Sequence, residues 1–219
     1  MSGPLAKLLT LGLLAYFASG ERVVAQLAAA RAGQPPLHVE GVISAAAPGT
    51  PARISIDLHP DFGTRISDDR GGRWVIQRGR VLDGTLLPLP AWLPDLEVLA
   101  LRREPELRAW LVGQGIDASA NELARCGDGD CYVLGTRQSL AQLWVEKRGF
   151  EVRRVVLPGR GPMDLEEWRA FERIRFPARV ELASDGATAT IAVESVAVAP
   201  PLGAGDFSAA WVRAAPSAQ

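Results

Sequence analysis

From Cys131 to Val198 apolar and polar residues alternate repeatedly, and turn residues interrupt the alternation at short intervals. A period of two sends successive side chains to opposite faces of a strand, so this half of the chain reads as a meander of half-buried antiparallel strands. Ala178-Arg179-Val180-Glu181-Leu182 alternates strictly, Ser184-Asp185-Gly186 turns, and Thr188 to Val198 returns, the strongest hairpin signal in the chain. Leu143 and Val145 stand against Gln142, Trp144 and Glu146, and after Arg148-Gly149 the stretch Phe150 to Leu157 follows. Trp168 to Ile174 fits helix and strand equally well. Such a sheet has one greasy face and one wet face, and the functional question is whether a packed core or a ligand covers the greasy one.

The front half adds one helix and more strands. Glu21 to Arg31 has helical spacing, with Val23, Val24, Leu27 and Ala28 on one side and Gly33 as its stop. Leu37 to Ile43 and Arg53 to Leu58 read as strands; in the second, Ile54, Ile56 and Leu58 face inward and Arg53, Ser55 and Asp57 outward. Asp68 to Gly72 turns into Trp74-Val75-Ile76, and Arg78-Gly79 turns again. The middle differs. Prolines 88, 90 and 94 stiffen a connector. Pro94 suits a first helical position, with Asp95 and Glu97 in the first turn and Leu96, Leu99 and Ala100 at helical spacing. Pro105 opens a second short helix with Leu107, Trp110 and Leu111 on one stripe, ended by Gly113. Ser119 to Glu122 resembles a capping box for one more turn. A helical insert over about 90–125 therefore interrupts the sheet, and the Ala- and Pro-rich tail, 208–219, is expected to be partly loose.

The chain has 219 residues, 47% of them hydrophobic, and a formal net charge of −1, which suits one domain and disfavours nucleic acid as a partner. At the N-terminus Lys7 precedes the uncharged run Leu8 to Ala18, then Ala18-Ser19-Gly20 and Glu21, the pattern of a secretory signal over residues 1–20. That run is shorter than the ~20 residues needed to span a bilayer, and an ordinary buried helix is the competing reading. No cysteine follows it to take a lipid. Cys126 and Cys131 flank Gly127-Asp128-Gly129-Asp130, a loop flexible enough to bring the sulfurs together, and export would keep the bond oxidised. A redox pair would use two intervening residues, and two cysteines with His38 and His59 far away do not make a zinc site. Asp128 and Asp130 lack the later glutamate of a calcium loop. A structural disulfide is the best reading.

No G-x-S-x-G elbow, phosphate-binding glycine loop or paired-histidine helix is present. Glu166-Glu167 is the most tempting carboxylate pair, but adjacent residues diverge on strand and helix alike. His38 lies on the polar side of its strand, where a surface imidazole is the default. Neither an enzyme nor a cofactor or metal is indicated.

The order of parts resembles a family. A signal-like start, one helix, antiparallel strands, a short helical insert and closing hairpins resemble the LolA/LolB-type lipoprotein carrier superfamily. Gln142-Leu143-Trp144-Val145-Glu146-Lys147 with Phe150, and Phe176-Pro177-Ala178-Arg179-Val180 with Asp185-Gly186 and Asp206-Phe207, are similar to its strands. The resemblance spans most of residues 21–207; His59-Pro60-Asp61-Phe62 is only a distant echo of the family's early proline-containing segment, and its mouth arginine has no counterpart that can be placed.

That resemblance implies an α+β fold, an incomplete, strongly curved antiparallel β-barrel covered by short α-helices around an apolar cavity. The expected function is a periplasmic, monomeric binder or carrier of lipid or of the acyl chains of lipoproteins. The alternative is an envelope sensor or scaffold module of the same fold that binds a protein partner. Candidate cavity residues are Ile54, Ile56, Trp74, Trp92, Leu96, Leu99, Trp110, Leu111 and Trp144. Each of them is equally well explained as plain core; as a group beneath a short, proline-stiffened insert they suggest a removable cover.

Overall fold

The computed structural model describes residues 18–45, 52–82, 93–184 and 187–214. The alternation is realised as one antiparallel sheet of twelve strands. A first meander comprises β1 (Leu37–Ala45), β2 (Arg53–His59), β3 (Gly63–Asp68), β4 (Arg73–Gln77) and β5 (Arg80–Val81). The second comprises β6 (Asn121–Cys126), β7 (Gly129–Leu134), β8 (Gln142–Glu146), β9 (Val152–Val156), β10 (Met163–Phe171), β11 (Ile174–Ser184) and β12 (Ala187–Val198). Within each meander every strand pairs with its sequence neighbour, and the two halves join where β1 pairs with β12, giving the order β5-β4-β3-β2-β1-β12-β11-β10-β9-β8-β7-β6. The sheet is open, with β5 and β6 at its ends.

The β1–β12 seam runs from Leu37 opposite Val198 to Ala45 opposite Ala189, with one register shift at Glu40/Gly41. Across it Glu40 faces Ser195 and Gly41 faces Val193, so Glu194 is the extra residue of a bulge. The bulge explains an irregularity in β12: Ala189, Ile191 and Val193 are buried two apart, yet the next buried residue is Val196. Gly41 is required at this point, because a Cβ there would lie 2.9 Å from Ile191 Cγ2 and 3.0 Å from the Ala192 carbonyl oxygen.

Helix α1 (Gly20–Ala29) starts where Ser19 accepts a hydrogen bond from the Arg22 amide and buries Val23, Val24, Leu27 and Ala28. The insert forms α2 (Glu97–Ala100) and α3 (Glu104–Gly113). Pro105 sits in the first turn of α3 as its spacing predicts, and Leu107, Trp110 and Leu111 are its buried stripe. Residues of all three helices share a single core with one face of the sheet, from Ile54, Ile56 and Ile66 at one side to Leu134, Leu143 and Val145 at the other.

Several expectations change. No helix forms at Ser119–Glu122: the Ser119 amide and hydroxyl both donate to Asp117 Oδ1 (2.9 and 2.6 Å), Glu122 turns to the Arg137 guanidinium (2.9 Å), and Asn121 begins β6. The cap chemistry is genuine but serves a turn. Pro94 lies upstream of α2, whose first residue is Glu97. The ambiguous stretch from Trp168 is strand, with a two-residue turn at Glu172-Arg173 between Phe171 and Ile174. Asp57, read as outward, does point outward, yet it is buried. It takes His38 Nδ1 at 2.7 Å and Arg65 Nε at 2.6 Å. In the tail, Ser208 caps a short α4 (Ala209–Arg213), and residues 215–219 lie outside the described residues. Its Val212 joins Phe207 over Val75, the outward residue of β4. The guanidinium groups of Arg65 and Arg73 each lie 5.1 Å from the Trp211 ring.

Cys126 and Cys131 are joined across the β6–β7 hairpin, with Cα atoms 5.8 Å apart. Residues 1–17 and the Asp185-Gly186 turn lie outside the described residues.

Gly41→Ala should lower stability by about 1–3 kcal/mol, the usual range for overpacking a filled site, or about 2–4 °C per kcal/mol for a chain of this size. Thermal denaturation checks it; an unchanged midpoint would mean that the seam yields.

Candidate functional site

The candidate site is the apolar interior where α1, α2 and α3 meet the sheet. Ile54 and Ile56 of β2, Trp74 of β4, Leu96 and Leu99 around α2, and Trp110 and Leu111 of α3 belong to one buried cluster. Trp74 and Ile76 face this interior while Val75 faces away, as a period of two requires. Trp92 lies outside the described residues.

Trp144 is not brought together with them. Leu143 and Val145 take the inner face, so Trp144 points to the other side of β8. There its Nε1 donates to Gln142 Oε1 at 2.9 Å and the Arg154 guanidinium lies 5.5 Å from its ring centre. Arg154 in turn donates twice to Asp164, at 2.5 and 2.9 Å. Trp144 thus lines an outer groove of about 710 Å³ walled by the β6–β7 turn and by β8 to β10. Glu166 and Glu167 border the same groove and approach Arg179 at 3.8 and 4.0 Å.

What sequence reasoning missed is charge beneath the helices. Glu97 looks like an ordinary first-turn acid, yet it is buried, and each of its carboxylate oxygens accepts a backbone amide of the β4–β5 turn, Arg78 N and Gly79 N, both at 2.6 Å. Arg78 (φ 53°) and Gly79 (φ 72°) both occupy the left-handed region, which aims two consecutive amides at one anion. The carboxamide of Gln114, just past α3, closes the other side: a Cβ on Gly79 would fall 1.5 Å from Gln114 Nε2. The turn is gripped between α2 and the end of α3. The Trp110 indole lies beside Glu97, but its N–H makes no bond of ordinary geometry. Burial pushes the Glu97 carboxyl up, and the two amides pull it partly back.

Asp95 is buried as well. Its Oδ1 accepts the Glu97 amide at 3.3 Å, while Oδ2 has no hydrogen-bond partner and faces Arg160 at 3.6 Å. Burial raises its carboxyl above the usual range against the pull of Arg160. Arg31, just beyond α1, is a third charge buried against the helices; it donates through Nη1 to the Val98 carbonyl of α2, and burial pulls its guanidinium down to about 10. The only sequence signal for the two acids was their place beside Pro94, which helix-end preferences accounted for, and Arg31 had none.

Among the described residues no three metal-ligating side chains converge, and no helix is long and apolar enough to cross a membrane.

No sequence-family model matches the chain, and no curated protein matches it significantly. Solved structures do. A LolA superfamily protein from Nitrosomonas europaea superposes with a TM-score of 0.54 over 88% of this chain and 98% of its own, at 13% identity. A DUF1329 family protein from Desulfovibrio piger gives 0.52 over 88% and 97%, at 12% identity. The chain therefore has the LolA-type fold that its order of parts resembles.

Two neighbouring acids should respond oppositely to amidation. A carboxyl raised on folding binds its proton more tightly in the native state, so stability is greatest below its unfolded value and falls as pH rises through the folded one. Asp95→Asn should therefore raise the melting temperature at neutral pH and lose that advantage below about pH 4, near the ordinary value for an aspartate. Glu97→Gln, by presenting an NH₂ donor to amide donors, should lower stability at neutral pH by about 1–3 kcal/mol. Melting curves across pH check both signs.

Proposed function

We propose that this is an exported, periplasmic, monomeric protein that binds or carries lipids, or the acyl chains of lipoproteins, in the interior of a strongly curved, incomplete barrel. The observation that carries the reading is a single apolar face running through both meanders, covered by short helices that a polar clasp holds down. The likeness to LolA-type structures supports it.

Curvature is supported by simple lengths. β2 and β7 stand seven strand spacings apart in the order of the sheet, about 34 Å if it were flat. Yet α2 packs on β2, α1 packs on both β7 and α3, and α2 and α3 are separated by only three residues. Packed helices lie about 8–10 Å apart, so a row of helices this short bridges those strands only over a bent sheet.

Magnitudes suit a cover that opens. Two hydrogen bonds to a charged group contribute about 1.5–3 kcal/mol each, so releasing the Glu97 clasp costs about 3–6 kcal/mol before relaxation. Each buried methylene returns about 0.8 kcal/mol, so roughly four to eight offset it, fewer than a long acyl chain offers. The N-terminal segment, read as a leader, and the Cys126–Cys131 bond suit an oxidising compartment.

A fluorescent fatty-acid analogue should bind the purified protein and be displaced by phospholipid or acylated peptide. Trp110→Ala should weaken that binding clearly while shifting the ligand-free melting temperature only slightly, although truncating a tryptophan in a rigid core costs about 3–5 kcal/mol. A large loss of ligand-free stability with unchanged binding would make the helices plain core. No binding at all would favour the scaffold reading.

A further inference from the structure

Arg31 is 7% exposed. One guanidinium nitrogen donates to the Val98 carbonyl, and the other terminal nitrogen, Nη2, has no hydrogen-bond partner. Its charge is also uncompensated: among the described residues no carboxylate pairs with it, and burial alone perturbs it. The two acids nearest Val98 in sequence are engaged elsewhere, Asp95 facing Arg160 and Glu97 holding the β4–β5 turn. The carbonyl end of α1, one residue upstream, offers only about half a unit of opposing charge. Buried cations are ordinarily paired, and a buried orphan donor calls for a specific explanation. Here both faults fall on one side chain, wedged between the end of α1 and the backbone of the helical cover.

We infer that Arg31 is an anion subsite inside the apolar interior, receiving the carboxylate or phosphate head of the ligand whose chain lies along the sheet. A guanidinium suits this role because its planar fork matches both oxyanions and stays charged when dehydrated. Its second nitrogen is free to donate while the first remains on Val98, so an arriving head group would tie the ligand directly to the backbone of α2. The ligand class is thereby narrowed to acidic lipids. This deepens the proposed function and rests on it only for the chain, not for the anion.

Three probes separate the two claims: dodecanoate, its methyl ester, and inorganic phosphate, each measured against the wild type and Arg31→Met by calorimetry and thermal shift. The expected result is a preference of at least about tenfold for the acid over the ester in the wild type, lost in Arg31→Met. Methionine fills similar space without charge, and relief of the buried cation should leave the melting temperature unchanged or higher. Equal binding of acid and ester by the wild type would overturn the subsite while leaving the lipid reading standing, and needs no variant. The subsite is overturned equally if Arg31→Met keeps the preference. If neither chain binds but phosphate stabilises the wild type and not Arg31→Met, the subsite stands and the lipid reading falls. Failure of all three probes would remove both.

Discussion

The pairing of β1 with β12 is the constraint on which the rest of the sheet depends. Every other neighbouring pair is made by strands consecutive in sequence, so each can form with local loop closure. The seam instead brings Leu37 to Val198, and the entropy of closing so long a loop must be offset by what the seam buries. A one-residue slip would turn the apolar residues of one meander to the wet face while those of the other stayed inside. The Glu194 bulge opposite Gly41 keeps both halves in phase, which makes the irregular spacing from Val193 to Val196 a structural device.

With that phase set, the inner face is continuous and needs a cover, and the chain covers it with very little helix. α2 is four residues long and α3 ten, too short to be stable by themselves. Polar anchors make up the deficit. Glu97 holds a turn whose two amides would otherwise be orphaned, and Arg31 holds a carbonyl of α2. These attachments concentrate in few bonds, whereas apolar packing is spread over many contacts.

The outer face is finished differently. Over β3 and β4 the C-terminal segment supplies a second, smaller core of Val75, Phe207 and Val212, and Arg65 bridges from the buried Asp57 toward the Phe207 and Trp211 rings. Over β8 to β10 nothing comparable packs down among the described residues; Trp144 is screened instead by Arg154, itself fixed by Asp164. One end of the sheet is thus buried on both faces and the other presents a charged groove.

Alternation by itself determined the strands, since a period of two admits no other regular structure: Ile54, Ile56 and Leu58, or Leu143 and Val145, are inward for that reason alone. The helix with Pro105 in its first turn and the bond between Cys126 and Cys131 were equally legible, because proline geometry and a five-residue separation are local facts. Tertiary structure decided whatever depended on a partner distant in sequence. Asp57 is buried because Arg65 and the C-terminal segment close over it, and Asn121 is in a strand because β7 offers a ladder where local capping chemistry suggested a helix. Trp144 shows the converse, since its own alternation already placed it outside and only its size suggested a cavity. The buried charges were the least legible. Nothing in a sequence separates a solvated glutamate or arginine from one held under a helix, because the difference is made by which backbone amides and carbonyls the fold brings to it.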